Sequence, residues 1–186
     1  MSKAIQDLIN EHKAIQAALQ TLSRMSASAA DNLRADTQDM GDFIGFLREF
    51  ADKCHHGKEE GFLFPALVQA GVPEQGGPIG VLLAEHAQGR QLIARMADGL
   101  TNGNVMQLVA AAQQYILLLR AHIQKENQVL FPLAERVLSS AQLDTLYQSF
   151  EEHEEKVIGH GRHEELHAML KSLQEKYPVK ENNGDH

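Results

Sequence analysis

One cysteine, Cys54, and no tryptophan occur in 186 residues, with only three tyrosines and an aromatic share of 5%. A single thiol excludes an intramolecular disulfide and every zinc module built on two or four cysteines. It fits a reducing compartment, so a cytoplasmic location is expected. No stretch reaches the run of about 18 apolar residues that a membrane span needs. The N-terminal MSKAIQDLINEH is amphipathic and lacks the apolar core of a signal peptide. A soluble protein with no membrane partner is therefore expected. Basic residues are also scarce, with 17 Lys and Arg against 25 Asp and Glu and a net charge of -8. Without a Lys/Arg stripe to face phosphates, nucleic acid is excluded as an expected partner.

Alternation of apolar and polar residues at strand period is almost absent, and spacings of three and four dominate instead, which predicts an all-α chain. A first helix is expected to start with Ser2 as N-cap, to carry Ile5, Leu8, Ile9, His12, Ile15, Leu19 and Leu22 on one stripe, and to end between Ser26 and Asp31. A second should run from about Thr37 to Phe64 with Phe43, Phe46, Leu47, Phe50, Cys54 and Leu63 inward. The Gly/Pro-rich segment from Gly71 to Pro78 then divides the chain. A third helix is read through Ile79, Leu82, Leu83, His86, Leu92, Ile93 and Met96, and a fourth from Val105 to Leu138. Pro65 and Pro132 are expected to kink or end the regular parts of the second and fourth. Four long helices with short polar connections specify an up-down-up-down four-helix bundle over residues 1–138. Residues 139–178 read as a C-terminal helical extension packed on the bundle and broken at Gly159-His160-Gly161, and 179–186 as a disordered tail.

What the sequence has in excess is histidine, with ten residues. His186 sits in the polar tail and reads as a solvated terminal residue. The others follow a pattern. Glu11-His12 precedes His55-x-x-x-Glu59-x-x-x-Leu63-Phe64-Pro65, and Glu85-His86 precedes His122-x-x-x-Glu126-x-x-x-Leu130-Phe131-Pro132. Four residues along an α-helix advance about 6 Å and turn back to within about 40° of the starting direction, so each His/Glu pair projects from one face. Two such half-sites supply four imidazoles and two carboxylates, a donor set for a pair of transition-metal ions with Glu59 and Glu126 as bridges.

Each piece alone has a plainer explanation. A lone histidine on an apolar stripe is more often a hydrogen-bonded core residue, and a lone H-x-x-x-E is more often a surface pair. Their repetition before the same LFP favours the metal reading, since two buried carboxylates facing four histidines are costly without a cation. His56 and Glu60 offer a register shifted by one, but only His55/Glu59 aligns with His122/Glu126, leaving Ile123 and Asn127 opposite His56 and Glu60. Cys54 is expected to pack as a small hydrophobe. The LFP motifs are expected to anchor the core and terminate helices. His153, His160, His163 and His167, among many glutamates, read first as a solvated face packed by Leu166, Met169, Leu170 and Leu173, and second as a completion of the site or a lid.

On Glu11-His12, CHHGKEEGFLFPAL, Glu85-His86 and HIQKENQVLFPLAE, the chain over about residues 3–138 resembles the hemerythrin-like, or HHE cation-binding, family. The resemblance implies a bundle holding a non-haem di-iron centre, with His12, His55, Glu59, His86, His122 and Glu126 as ligands. It implies a small diatomic or peroxide partner: oxygen, nitric oxide or peroxide, bound for sensing, iron or redox handling, or stress response. Oxygen carriers of the family have a further histidine one turn after the third-helix ligand, where this sequence has Arg90. A guanidinium does not bind metal, so that place is expected to fall to water, an oxyanion, or His56, Glu60 or His163. The open position also admits a di-iron peroxidase or nitric-oxide-reducing enzyme. Because His/carboxylate donors do not select iron, a zinc- or manganese-holding regulatory module is a further alternative.

Overall fold

Ser2 caps the first helix as expected, its hydroxyl accepting from the Ile5 amide, and α1 runs over Lys3–Asn32. Its end lies beyond the Ser/Ala stretch, because those small residues continue the buried stripe through Met25, Ser26 and Ala29 until Leu33 turns left-handed. The computed structural model describes residues 1–159 and 161–178. Within them are six helices and no strand.

The second helix, α2, departs most from a regular reading. It is α-helical over Thr37–Phe46, widens to π-helical turns over Leu47–His56 and again over Glu59–Leu63, and returns to α over Phe64–Gln69. Pro65 therefore does not end it. The widened turn bonds the Phe64 amide to the Glu59 carbonyl, five residues back, so the proline enters at the start of a fresh α-helical run, where its missing donor is harmless. Helix α3 spans Pro78–Thr101 after the Gly/Pro divider, in which Gly71 and Gly76 take positive φ. Helix α4 is regular over Val105–Lys125, widens over Glu126–Leu130, and continues through Pro132 over Phe131–Val137 by the same device. The expected termination at both prolines is thus corrected, for one physical reason in both halves.

Helices α1 to α4 form the four-helix bundle. The extension adds α5, Ser140–Val157, opened by a Ser139/Gln142 capping box, and α6, Arg162–Lys176. Leu143, Leu146 and Phe150 of α5 join one apolar cluster with Ile5, Leu8, Leu63 and Phe131. Leu166, Leu170 and Leu173 of α6 join another with Leu19, Phe46, Phe50 and Tyr115. The bundle interior thus has two apolar clusters, and the buried histidines and glutamates belong to neither. His160 and the tail residues 179–186, including His186, lie outside the described residues.

Candidate metal centre

All six residues singled out by the repeat meet in the bundle interior. His12 comes from α1, His55 and Glu59 from α2, His86 from α3, and His122 and Glu126 from α4; all are buried. Glu59 lies between two histidines, with Oε1 3.6 Å from His55 Nε2 and Oε2 3.3 Å from His86 Nε2. Glu126 mirrors it, with Oε2 3.1 Å from His12 Nε2 and Oε1 3.2 Å from His122 Nε2.

A seventh residue joins them. His56 is buried, stacked on His86 with ring centroids 3.9 Å apart, and neither of its nitrogens has a hydrogen-bond partner. The potential ligand atoms fall into two groups, each within a 4.8 Å span: His56, Glu59, His86 and His122, and His12, His55, Glu59 and Glu126. Glu59 belongs to both. Of the two registers, Glu59 rather than Glu60 faces the interior, and both His55 and His56 turn inward. Both lie at the end of the wide turns over Leu47–His56, which bring consecutive side chains closer in direction than α-helical turns do. In the second half the corresponding stretch is regular α-helix, and Ile123, opposite His56, packs into the apolar cluster instead.

The residues around these groups repeat as well. His55 Nδ1 donates to Glu11 Oε2 (2.7 Å), and His122 Nδ1 donates to Glu85 Oε2 (2.9 Å). His86 Nδ1 donates to Glu60 Oε1 (2.7 Å), and His12 Nδ1 donates to Asn127 Oδ1 (2.9 Å). Each outer acceptor fixes a ring so that its Nε2 points inward, the arrangement that orients metal-ligating imidazoles. Lys58 and Lys125, each immediately before an inner glutamate, bind Glu11 and Glu85 in turn. Phe64 stacks on His86 (5.8 Å) and Phe131 on His12 (5.3 Å), so the LFP motifs wall the site as well as anchoring the core.

Arg90 is not among the converging donors. Its Nε donates to Asp52 (2.8 Å) and its Nη2 to Glu60 (2.6 Å). Asp52 stands 3.5 Å from His56 Nδ1, and Glu60 holds His86. The guanidinium thus braces the carboxylates behind two histidines. Among the residues offered for the place it vacates, His56 occupies the interior, Glu60 sits behind His86, and His163 belongs to neither inner group.

Charge at the site is tightly matched. Burial opposes ionisation of Glu126, but the His12 and His122 rings beside it hold its carboxyl well below the usual range. Burial likewise works against Glu11, yet His55 and Lys58 bring it down to about 2. Burial acts to lower His86, and the Glu59 and Glu60 carboxylates beside it outweigh that and lift it to about 9. His56 goes the other way: burial, then the neighbouring His86, push it well below its ordinary value, leaving a neutral imidazole. The buried polar atoms without hydrogen-bond partners include His12 Nε2, His55 Nε2, both nitrogens of His56 and all four oxygens of Glu59 and Glu126. Their convergence fits a pair of cations, which would satisfy lone pairs that nothing else in the interior meets.

A third group of donor atoms, Glu11, Cys54 and Glu154, is already occupied by a lysine. The wholly buried Lys58 ammonium donates to Glu11 (2.7 Å), Glu154 (2.9 Å) and Asp7 (2.9 Å). Burial and the nearby Glu11 push the Cys54 thiol up, so it stays protonated and packs as the expected small hydrophobe. Sequence reasoning assigned no role to Glu11, Glu85, Lys58, Lys125 or Asn127. The signal was present in the repeat, since Glu-His and Lys-Glu each occur in both copies at matching places.

The sequence matches the hemerythrin HHE cation binding domain over residues 3–134. The chain belongs to that family, and cation binding is the property the family and the clustered donors share. Curated relatives include uncharacterized proteins of Mycobacterium bovis and Mycobacterium tuberculosis, 26% identical over 166 residues. The match takes in 84% of this chain and 63% of each relative, so the chain spans less than two thirds of their length. Among the described residues, no helix is long and apolar enough to cross a membrane.

Proposed function

We propose that the chain is a cytoplasmic di-iron protein that binds oxygen, nitric oxide or peroxide for sensing or stress protection. In this reading His56, His86, His122 and Glu59 hold one iron, and His12, His55, Glu59 and Glu126 hold the other. The observation that carries it is the convergence of buried, unpartnered imidazole nitrogens and carboxylate oxygens on one interior volume. An iron pair supplies electrons and open coordination for small oxidants. The chain's own part is to aim His12, His55, His86 and His122 through their outer carboxylates or amide, to balance charge, and to keep water out behind Phe64 and Phe131. Three histidines and one carboxylate serve one side and two histidines and two carboxylates the other, so the two positions match in donor number and differ in donor type.

Anaerobic reconstitution with ferrous iron, followed by elemental analysis and Mössbauer spectroscopy, tests the proposal. Two irons per chain in inequivalent environments are expected. Clearly fewer than two, or selective retention of zinc or manganese from native-level expression, would replace it with the regulatory cation-binding reading. Sustained iron-dependent turnover of peroxide or nitric oxide would make the protein an enzyme rather than a binder.

A further inference from the structure

Outside the bundle interior, two more histidines approach each other. His163 and His167 stand one turn apart on α6, with Nε2 atoms 3.3 Å apart and rings nearly perpendicular at 78°. Two imidazoles on one tetrahedral cation, at metal–nitrogen distances of about 2.0–2.1 Å, bring their nitrogens to about 3.3–3.4 Å. The same closeness of two Nε2 atoms occurs in the buried centre, between His86 and His122 at 3.1 Å.

The pair is held in place on several sides. Phe50, itself buried, stacks on His163 (5.6 Å) and meets His167 edge-on (5.4 Å). The first turn of α6 is pinned by Arg162, which donates from Nε and Nη2 to the two carboxylate oxygens of Glu49 at 2.9 Å each. Glu154 Oε1 lies 3.9 Å from His163 Nδ1, an outer carboxylate on the side away from the Nε2 pair, and its other oxygen is held by Lys58. Burial, then His163, push His167 below its ordinary value, which favours a neutral ring. Beside the pair, Glu151, Glu154, Glu155 and Glu164 line a small cleft together with His163, and their field draws cations toward it.

We propose that His163 and His167 form a second transition-metal site, a surface chelate for a divalent cation such as zinc, with Glu154 as the carboxylate behind His163. It is independent of the buried centre, since neither histidine belongs to the inner groups. His163 is 34% exposed, so a cation reaches it directly from solvent.

Zinc titration of the full chain, with elemental analysis after removal of free metal, tests the site in parent, His167→Asn and His163→Asn proteins. The parent should hold one zinc per chain more than either variant, with helix content unchanged by circular dichroism. In the parent, the imidazole Nε2 resonances of both residues should shift together on binding. Equal zinc content in parent and variants, or Nε2 resonances that ignore zinc, would overturn the proposal and leave the pair as a ring-to-ring hydrogen bond. The zinc common to all three proteins reports on the buried centre, and the difference reports on the surface pair, so the two can fail separately.

Discussion

The first half of the bundle presents His55-His56-Gly57-Lys58-Glu59-Glu60 and the second His122-Ile123-Gln124-Lys125-Glu126-Asn127. The two segments place a histidine, a carboxylate, a buttressing lysine and an outer acceptor alike, and then diverge in three ways. The first half winds through wide turns before its ligands and sends two histidines inward, whereas the second is regular and sends one. Lys58 is wholly buried, but the Lys125 side chain is 42% exposed. The extension packs chiefly on the first half, where Glu154 joins Lys58 and His153 bonds the Lys53 carbonyl (3.0 Å). Repetition built a symmetric cradle, and asymmetric winding and covering made its two donor groups different.

The comparison breaks most sharply at the inner carboxylates. Glu59 belongs to both donor groups and Glu126 to one, so Glu59→Ala should abolish binding of both metals while Glu126→Ala keeps about one per chain. Equal losses by elemental analysis would contradict the shared role of Glu59. At the position that differs, His56→Leu should lower metal content toward one per chain with little loss of fold. Its counterpart Ile123→Ala should leave the metal count alone and cost about 2–5 kcal/mol in urea unfolding, as a buried Ile-to-Ala truncation does.

The lysines sharpen the comparison energetically. Lys58→Met strands the Glu11, Glu154 and Asp7 carboxylates around a buried point and should cost about 3–5 kcal/mol. Lys125→Met removes a partly solvated pair and should cost under about 1 kcal/mol. Similar midpoints for the two in denaturant would show that burial of Lys58 contributes nothing. The smallest effect is expected at Arg90→Gln, which loosens Asp52 and Glu60 behind two histidines. Metal affinity should fall by about tenfold, as for other outer-sphere changes, with stoichiometry preserved.

Glu11 contributes to the acid limb of the metal-free protein's stability. Its pKa is about 2 when folded against an ordinary 4.5, so its stabilisation is fully present above about 4.5. That contribution is lost as pH falls from there through about 2. Glu11→Gln should flatten this part of the stability profile measured by thermal unfolding.

Much of this arrangement was legible in the chain. Period-three and period-four stripes marked the helices, the Gly/Pro divider separated the halves, and the repeated His/Glu spacing brought six residues to one place. His56 was legible only as one of several candidates for the place opposite Arg90, because a widened helical turn leaves no residue-type signature, and the sequence repeat itself paired His56 with an isoleucine. The prolines misled for the same reason: they break an α-helix, but the wide turns ahead of Pro65 and Pro132 let the helices pass through. The outer ring went unread because a glutamate next to a histidine carries no mark of which neighbouring helix it will hold. The His163/His167 spacing was visible, and the tertiary contact with Phe50 that steadies it was not.

The wide turns of Leu47–His56 also make chain length a determinant of chemistry. A helix bonded five residues back takes in more residues per turn than one bonded four back. Deleting a single residue between Leu47 and Cys54, with no change to any histidine or glutamate, would let the segment relax to ordinary α-helix and rotate His56 away from His86. The number of residues before the ligands, as much as their identity, sets how many imidazoles this half of the protein delivers.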